Sequence, residues 1–212
     1  MSEQKLTEDR ALLAALLDRL NGAEARGGEK AEKLIGRFGS LRAVLEASPR
    51  QLEACGLSEG EAVLLSSLPA VARRRAVEPF RRGTGLAAGE EADLVRAMFT
   101  GVTTERTMLV ALDERRRILL TAVLGEGTDA SVNVDMRALI AAVLSVDCKE
   151  AILCHNHPGG TAAFSDADLK ATRAISDALD ALGIALDDHW LAAGREVVSM
   201  KGLGLMKFTK IP

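Results

Sequence analysis

Of three histidines in 212 residues, two stand two apart in the stretch HNHPGGTAAFSDAD, which runs from His155 to Asp168. On an extended chain residues i and i+2 point the same way, so His155 and His157 can bring two imidazoles to one point while Asn156 points away. Pro158-Gly159-Gly160 then forces a turn, and the following loop leads to a helix whose start holds Ser165, a good N-cap, and Asp168 on the first turn. Two histidines and a carboxylate make a three-ligand set with a fourth tetrahedral position left for water, the composition of catalytic rather than structural zinc. Iron or manganese would accept the same ligands. The plainer reading of these residues is a His-x-His pair in a surface loop beside a Ser-Asp-Ala-Asp capping pattern.

The surrounding elements are legible from periodicity. "TMLVALD" (107–113) and "RILLTAVLG" (117–125) read as two buried strands joined by the charged turn at 114–116, a hairpin arrangement. Met136 to Val146 reads as a helix, "EAILC" (150–154) as a short buried strand, and Asp166 to Leu182 as an amphipathic helix ended at Gly183. "IALDDHWLAA" and "EVVSM" supply two more strands. The expectation is an α/β (α+β) domain, a mixed sheet flanked by helices, over 91–212. Cys154 should face the side opposite His155, toward the core.

Ahead of it, residues 1–90 read as a small helical domain. Leu12, Leu13, Leu16, Leu17 and Leu20 recur at one-face spacing, as do Leu34, Ile35 and Phe38. A helix is expected from near Ser40, a turn at Ser48-Pro49, a second helix ended by Gly56, and a third from Ser58. "ARRRAVEPFRRGTGLAAGEE" suits a linker or an exposed helix end, which places the domain boundary at about 90. Residues 1–90 hold 14 Lys/Arg and 13 Asp/Glu, net +1, and 91–212 hold 13 and 17, net −4, so neither part carries the cationic field that makes nonspecific nucleic-acid binding automatic.

With 48% hydrophobic residues the chain is an ordinary globular one, and Cys55, Cys148 and Cys154, without any CxxC pair, suit a reducing compartment. The polar start MSEQKLTEDR lacks an apolar core of signal-peptide length, and no stretch approaches the ~20 apolar residues that span a bilayer. A cytoplasmic protein without membrane insertion is expected.

The pattern His-x-His, seven residues, Ser, two residues, Asp, carried by His155, His157, Ser165 and Asp168, resembles the JAMM (MPN+) metallopeptidase motif at every spacing. "AILCHNHPGG" is similar to the His-Asn-His-Pro-Ser-Gly signature of RadC-like JAB-domain proteins, and "ALGIALDDHWLAAGREVVSM" looks like that family's strand-His-strand ending. "FGSLRAVLEASPRQLEACGLSEGEA" resembles its N-terminal helix-hairpin-helix region. The resemblance implies a JAB/MPN-type, cytidine-deaminase-like domain. It also implies zinc held at His155, His157 and Asp168, with Glu105 as general base and Ser165 as an oxyanion donor or as the cap of the helix that carries Asp168. The implied reaction is cleavage of an amide or isopeptide bond in a protein or peptide substrate. His189 matches a family position and is expected as a buried histidine oriented by Asp188, or as an outer partner of the site. Two departures bear on activity: Gly159 stands where the family has serine, and Asp135-Met136-Arg137-Ala138 keeps only the arginine of a His-Pro-Arg-Glu run.

Helix-hairpin-helix modules hold DNA phosphates on the backbone N–H groups of a glycine-rich hairpin. In Cys55-Gly56-Leu57-Ser58 the second glycine is missing, Glu59 and Glu61 follow, and no lysine or arginine is nearby in sequence. The cluster Arg73, Arg74, Arg75, Arg81 and Arg82 offers a weak DNA contact instead, or a solvated linker. Two further function classes therefore stand beside the hydrolase: a DNA-associated repair or recombination factor, and a catalytically silent interaction protein.

Overall fold

A computed structural model of the chain describes residues 3–21, 26–127, 134–194 and 196–206. Contacts divide the chain into two compact units, Met1–Ala72 and Arg73–Pro212.

The first unit is helical: α1 (Glu3–Asn21), α2 (Gly27–Phe38), α3 (Leu41–Glu46), α4 (Pro49–Glu53) and most of α5 (Glu59–Ala76). Leu13 and Leu17 of α1 are fully buried against Leu34 and Ile35 of α2, each such leucine contributing about 1.5–3 kcal/mol, while Leu12 and Leu20 on the flanks of the stripe are exposed. The two helices approach closely at Gly27, where a Cβ would collide with the Ala14 carbonyl, and Asp18 Oδ1 accepts the Gly27 N–H at 2.7 Å. Ser48-Pro49, the expected turn between two helices, closes the link from α3 and starts α4. Pro49 occupies its first position, where no N–H is needed, and Ser48 and Gln51 form a capping box.

The second unit is built on a five-stranded sheet of order β2-β1-β3-β4-β5, made of β1 (Glu105–Leu112), β2 (Ile118–Gly127), β3 (Glu150–His157), β4 (Ala185–Ala193) and β5 (Glu196–Ser199). β3 runs parallel to β4, and the other neighbouring strands are antiparallel. This is the mixed sheet flanked by helices that periodicity predicts. On one face Val110, Leu112, Ile152 and Cys154 pack with Leu94, Val95 and Met98 of α6 (Glu91–Met98). On the other, Leu109, Ala111, Ala151 and Leu153 pack with α7 (Met136–Leu144) and α8 (Asp166–Asp180). The period-2 alternation of β3 therefore sends His155 and His157 to the face covered by α8, and Cys154 to the opposite core.

The arginine-rich stretch before residue 90 belongs with this unit. α5 carries Arg73 to Arg75 in its last turn, and beyond it Gly83 N–H and Leu86 N–H donate to the carbonyls of Ile118 and Arg116. No helix among the described residues is long and apolar enough to cross a membrane.

Candidate metal centre

β3 is the central strand, flanked by β1 and β4, and it delivers His155 fully inside the protein and His157 at its end. The tight turn that follows places Gly160 at φ +82°, a conformation that favours glycine, and the chain returns through Phe164 to α8. Ser165 is the N-cap of α8, and its capping partner three residues on is Asp168. Ser165 N–H and Oγ–H both donate to Asp168 Oδ2 at 2.7 Å, while Ser165 Oγ accepts the Asp168 N–H at 3.2 Å. The capping box thus holds the carboxylate by one oxygen and leaves the other facing β3.

Three ligand atoms converge there. His155 Nε2 lies 3.1 Å from His157 Nε2 and 3.4 Å from Asp168 Oδ1, and the donor atoms of the three residues all fall within 4.8 Å of one another. A tetrahedral zinc site with bonds of about 2.1 Å has ligand–ligand edges of about 3.4 Å.

The hydrogen-bond network assigns the tautomers. The Thr172 hydroxyl donates to the Asp168 carbonyl at 2.6 Å, so the His189 Nδ1 that meets the same hydroxyl at 2.6 Å carries the proton and donates to it. His189 Nε2 is then an acceptor, and His155 Nδ1 donates to it at 2.7 Å, which leaves His155 Nε2 as a bare lone pair. His157 Nδ1 donates to the Thr161 carbonyl at 2.9 Å, leaving its Nε2 bare as well. Two lone pairs and a carboxylate oxygen aimed at one point have no proton to share among them, and a cation is what satisfies all three. Burial pushes the pKa of His155 down to about 4, Asp168 opposing and His157 reinforcing the shift, so the ring is neutral at pH 7 as a ligand must be. His189 is likewise depressed, by burial first and then by the two neighbouring histidines.

Asp188 does not orient the His189 ring. Its Oδ1 accepts the backbone N–H groups of His189 and Lys201, and its Oδ2 accepts the Ser199 hydroxyl, because alternation along β4 sends the two side chains to opposite faces. Thr172 and His155 hold the ring instead. Phe164 covers both imidazoles, with ring centroids 5.7 Å from His155 and 5.3 Å from His189. Sequence reasoning missed Thr172 and Phe164. Only the i,i+4 spacing of Asp168 and Thr172, which puts them on one helical face, hints at the former.

Glu105 begins β1 and lines a cleft of about 450 Å³ together with Thr104, Gly127, His157, Gly159 and Ser165. Its carboxyl is raised above the ordinary glutamate value, chiefly by burial and further by Asp168, against the opposing pull of His157. Of the two departures, Gly159 lines the cleft with open space around a would-be Cβ. Ala138 sits in the first turn of α7, packed with the core under the sheet.

In the first unit, the hairpin between α4 and α5 is occupied from within. Glu61, 3% exposed, accepts the Ser58 N–H at 2.7 Å and pairs with Lys30 Nζ at 2.7 Å. Tertiary packing brings Lys30 and Lys33 of α2 to this hairpin, which sequence proximity did not indicate, yet the helix-start amide that would meet a phosphate is already bonded to Glu61. Of the arginine cluster, Arg73 donates to the Thr100 carbonyl and Arg81 pairs with Glu78, while Arg74, Arg75 and Arg82 are exposed.

A model of the RadC-like JAB domain matches residues 88–205. The chain is 34% identical over 197 residues to a UPF0758 protein of Bordetella bronchiseptica, covering 91% of this chain and 86% of that protein. It is 33% identical over 199 residues to a UPF0758 protein of Shewanella amazonensis, with 92% and 88% coverage. To one of Stutzerimonas stutzeri it is 32% identical over 200 residues, with 93% and 89% coverage.

Proposed function

The chain belongs to the RadC-like JAB domain family, and from that premise we propose that it is a zinc-dependent hydrolase of amide or isopeptide bonds in a protein or peptide substrate. One observation carries this reading: His155 Nε2, His157 Nε2 and an Asp168 oxygen converge with their protons directed away, beside a glutamate in the same cleft. Bound at these three residues, zinc would supply Lewis acidity and lower the pKa of water toward ~7.

The chain's own groups do the rest. Glu105, its pKa raised by partial burial, takes a proton from the attacking water and returns it to the leaving nitrogen. Ser165 donates its hydroxyl proton to Asp168, so its contribution is to orient the ligand, and an oxyanion contact would require that hydroxyl to turn away from Asp168. Phe164 shields the buried His155–His189 pair from water.

The test begins with plasma mass spectrometry of the purified protein beside His157→Ala, followed by a peptide pool of proteome origin incubated with each variant and read by mass spectrometry. About one zinc per wild-type chain, lost in His157→Ala, and chelator-sensitive cleavage lost in Glu105→Gln are expected. A wild-type protein that takes up no metal after zinc is supplied overturns the reading.

A further inference from the structure

We propose that Asn156 is the positioning residue for Glu105, its side-chain amide standing in for a missing peptide group in the ladder between β1 and β3. The inference rests on the hydrolase reading above for its catalytic meaning, and on hydrogen-bond geometry for its structural one.

The β1–β3 ladder is antiparallel, and its last pair toward the cleft is Thr107 with His155. One step farther the main-chain register ends, and no ladder pair joins Arg106 to Asn156 or Glu105 to His157. Strand groups left beyond such an end lose their partners inside the protein, at a cost comparable to a lost hydrogen bond each. Asn156 fills the gap. Its Oδ1 accepts the Arg106 N–H at 2.9 Å, and its Nδ2 donates to the Thr104 carbonyl at 3.0 Å. These two residues bracket Glu105, so a single planar amide grips the backbone on both sides of it.

The opposite side of the same segment is held too. Glu105 pairs with Gly127 of β2, and Glu126 Oε1 takes bonds from Thr104 Oγ1 at 2.9 Å and from an Arg106 guanidinium nitrogen at 2.7 Å. Asn156 is 4% exposed with both ends of its amide used. Its place between the two histidines gives it a double consequence: the alternation that turns His155 and His157 toward the ligand point turns Asn156 away from it, toward β1. Three consecutive residues thus supply two ligands in one direction and the brace for the glutamate in the other.

The residue type is specific. The brace needs one acceptor and one donor in a plane; aspartate keeps the acceptor, loses the donor and adds charge, serine is too short to reach both groups, and alanine has neither.

Asn156→Ala and Asn156→Asp, each alone and with Glu105→Gln, test this on the full chain. Zinc affinity is read by chelator competition, acetohydroxamic acid binding to the zinc-loaded protein by calorimetry, and the Arg106 amide by hydrogen exchange on the metal-free protein. Hydroxamates place a proton against the carboxylate beside the metal, so their affinity reports where Glu105 stands. Zinc affinity within about threefold of wild type is expected for Asn156→Ala, because the ligands come from β3 and α8. Acetohydroxamate affinity is expected to fall about tenfold, with no further loss in the Glu105→Gln background, since residues acting as one unit are not additive. Arg106 exchange accelerates about tenfold or more in Asn156→Ala while the Leu153 amide stays protected. In Asn156→Asp, which keeps the acceptor and serves if the alanine variant does not fold, Arg106 stays protected and acetohydroxamate affinity still falls.

Unchanged acetohydroxamate binding, losses that add to those of Glu105→Gln, or Arg106 exchange at the wild-type rate in Asn156→Ala each overturn the proposal. A wild-type protein that binds no zinc or no acetohydroxamate defeats the hydrolase reading instead, and Arg106 exchange alone then decides whether Asn156 braces this segment.

Discussion

Thr172→Val tests the tautomer chain behind the candidate metal centre. Valine has nearly the shape of threonine, and Thr172 is fully buried, so the change removes one hydroxyl and little packing. His189 Nδ1, buried and bonded to that hydroxyl at 2.6 Å, then has no acceptor. Leaving a buried donor unpaired costs about 1–3 kcal/mol. For a domain the size of the second unit this lowers the Tm of the metal-free protein by roughly 4–12 °C. The imidazole can escape part of that cost by moving its proton to Nε2. It would then donate to His155 Nδ1, whose proton must move to His155 Nε2, the atom aimed at the ligand point. Either route weakens metal binding, and loss of such an outer partner reduces affinity about 10–100-fold, or roughly 1.4–2.8 kcal/mol. Chelator competition at pH 7.5 measures this, with ¹⁵N shifts of His155 reporting which nitrogen is protonated and Thr172→Ser as the variant that keeps the hydroxyl. Zinc affinity within twofold of wild type in Thr172→Val, or an equal loss in Thr172→Ser, would refute the relay.

Ser165→Ala removes the hydroxyl bond to Asp168 Oδ2 and an N-cap, so a loss of about 1 kcal/mol in stability and a roughly tenfold loss of zinc affinity are expected, whereas Glu105→Gln should leave zinc affinity unchanged. In the metal-free protein, the pKa of His155 is about 4 folded against 6.5 unfolded, so the unfolded chain takes the proton first. Stability is full above about pH 6.5 and falls by roughly 3 kcal/mol as pH drops to about 4, with the buried His189 adding in the same direction; urea titrations showing no change between pH 7 and pH 4.5 would contradict this. Any duplex DNA affinity is expected to come from Arg74 and Arg75 rather than the hairpin, whose amide Glu61 already holds. Substituting both arginines with alanine should reduce the slope of log affinity against log salt by about 2, and an unchanged slope in fluorescence anisotropy places the contact elsewhere.

Spacing within one element determined a great deal. His155 and His157 share a direction because strand side chains alternate, and Ser165 and Asp168 meet because they sit three apart at a helix start. Both facts hold wherever the chain goes. The strands of the hairpin, β3, α8 and the two final strands follow from the same local periodicities, as does the placement of Cys154 in the core. The exposure of Leu12 and Leu20 depended on neighbours that periodicity cannot see. So did the site's supporting residues. His189 stands 34 residues beyond His155, and whether its ring meets that histidine or Asp188 is decided by parallel pairing of β3 with β4 and by which face α8 covers. Asn156 reaches Thr104 and Arg106 across some fifty residues only because the β1–β3 register ends at Thr107. Lys30 meets Glu61 through the packing of α2 against the hairpin. Sequence spacing could thus choose the candidate ligands, because His155 and His157 share one strand face and Asp168 stands on the first turn of the helix into which the loop after His157 leads. The bare nitrogen of His157 follows from Thr161 in its own loop, but the tertiary fold alone decided which nitrogen of His155 is bare and what holds the glutamate in place, because those choices are made by hydrogen-bond partners brought together through strand register and core packing.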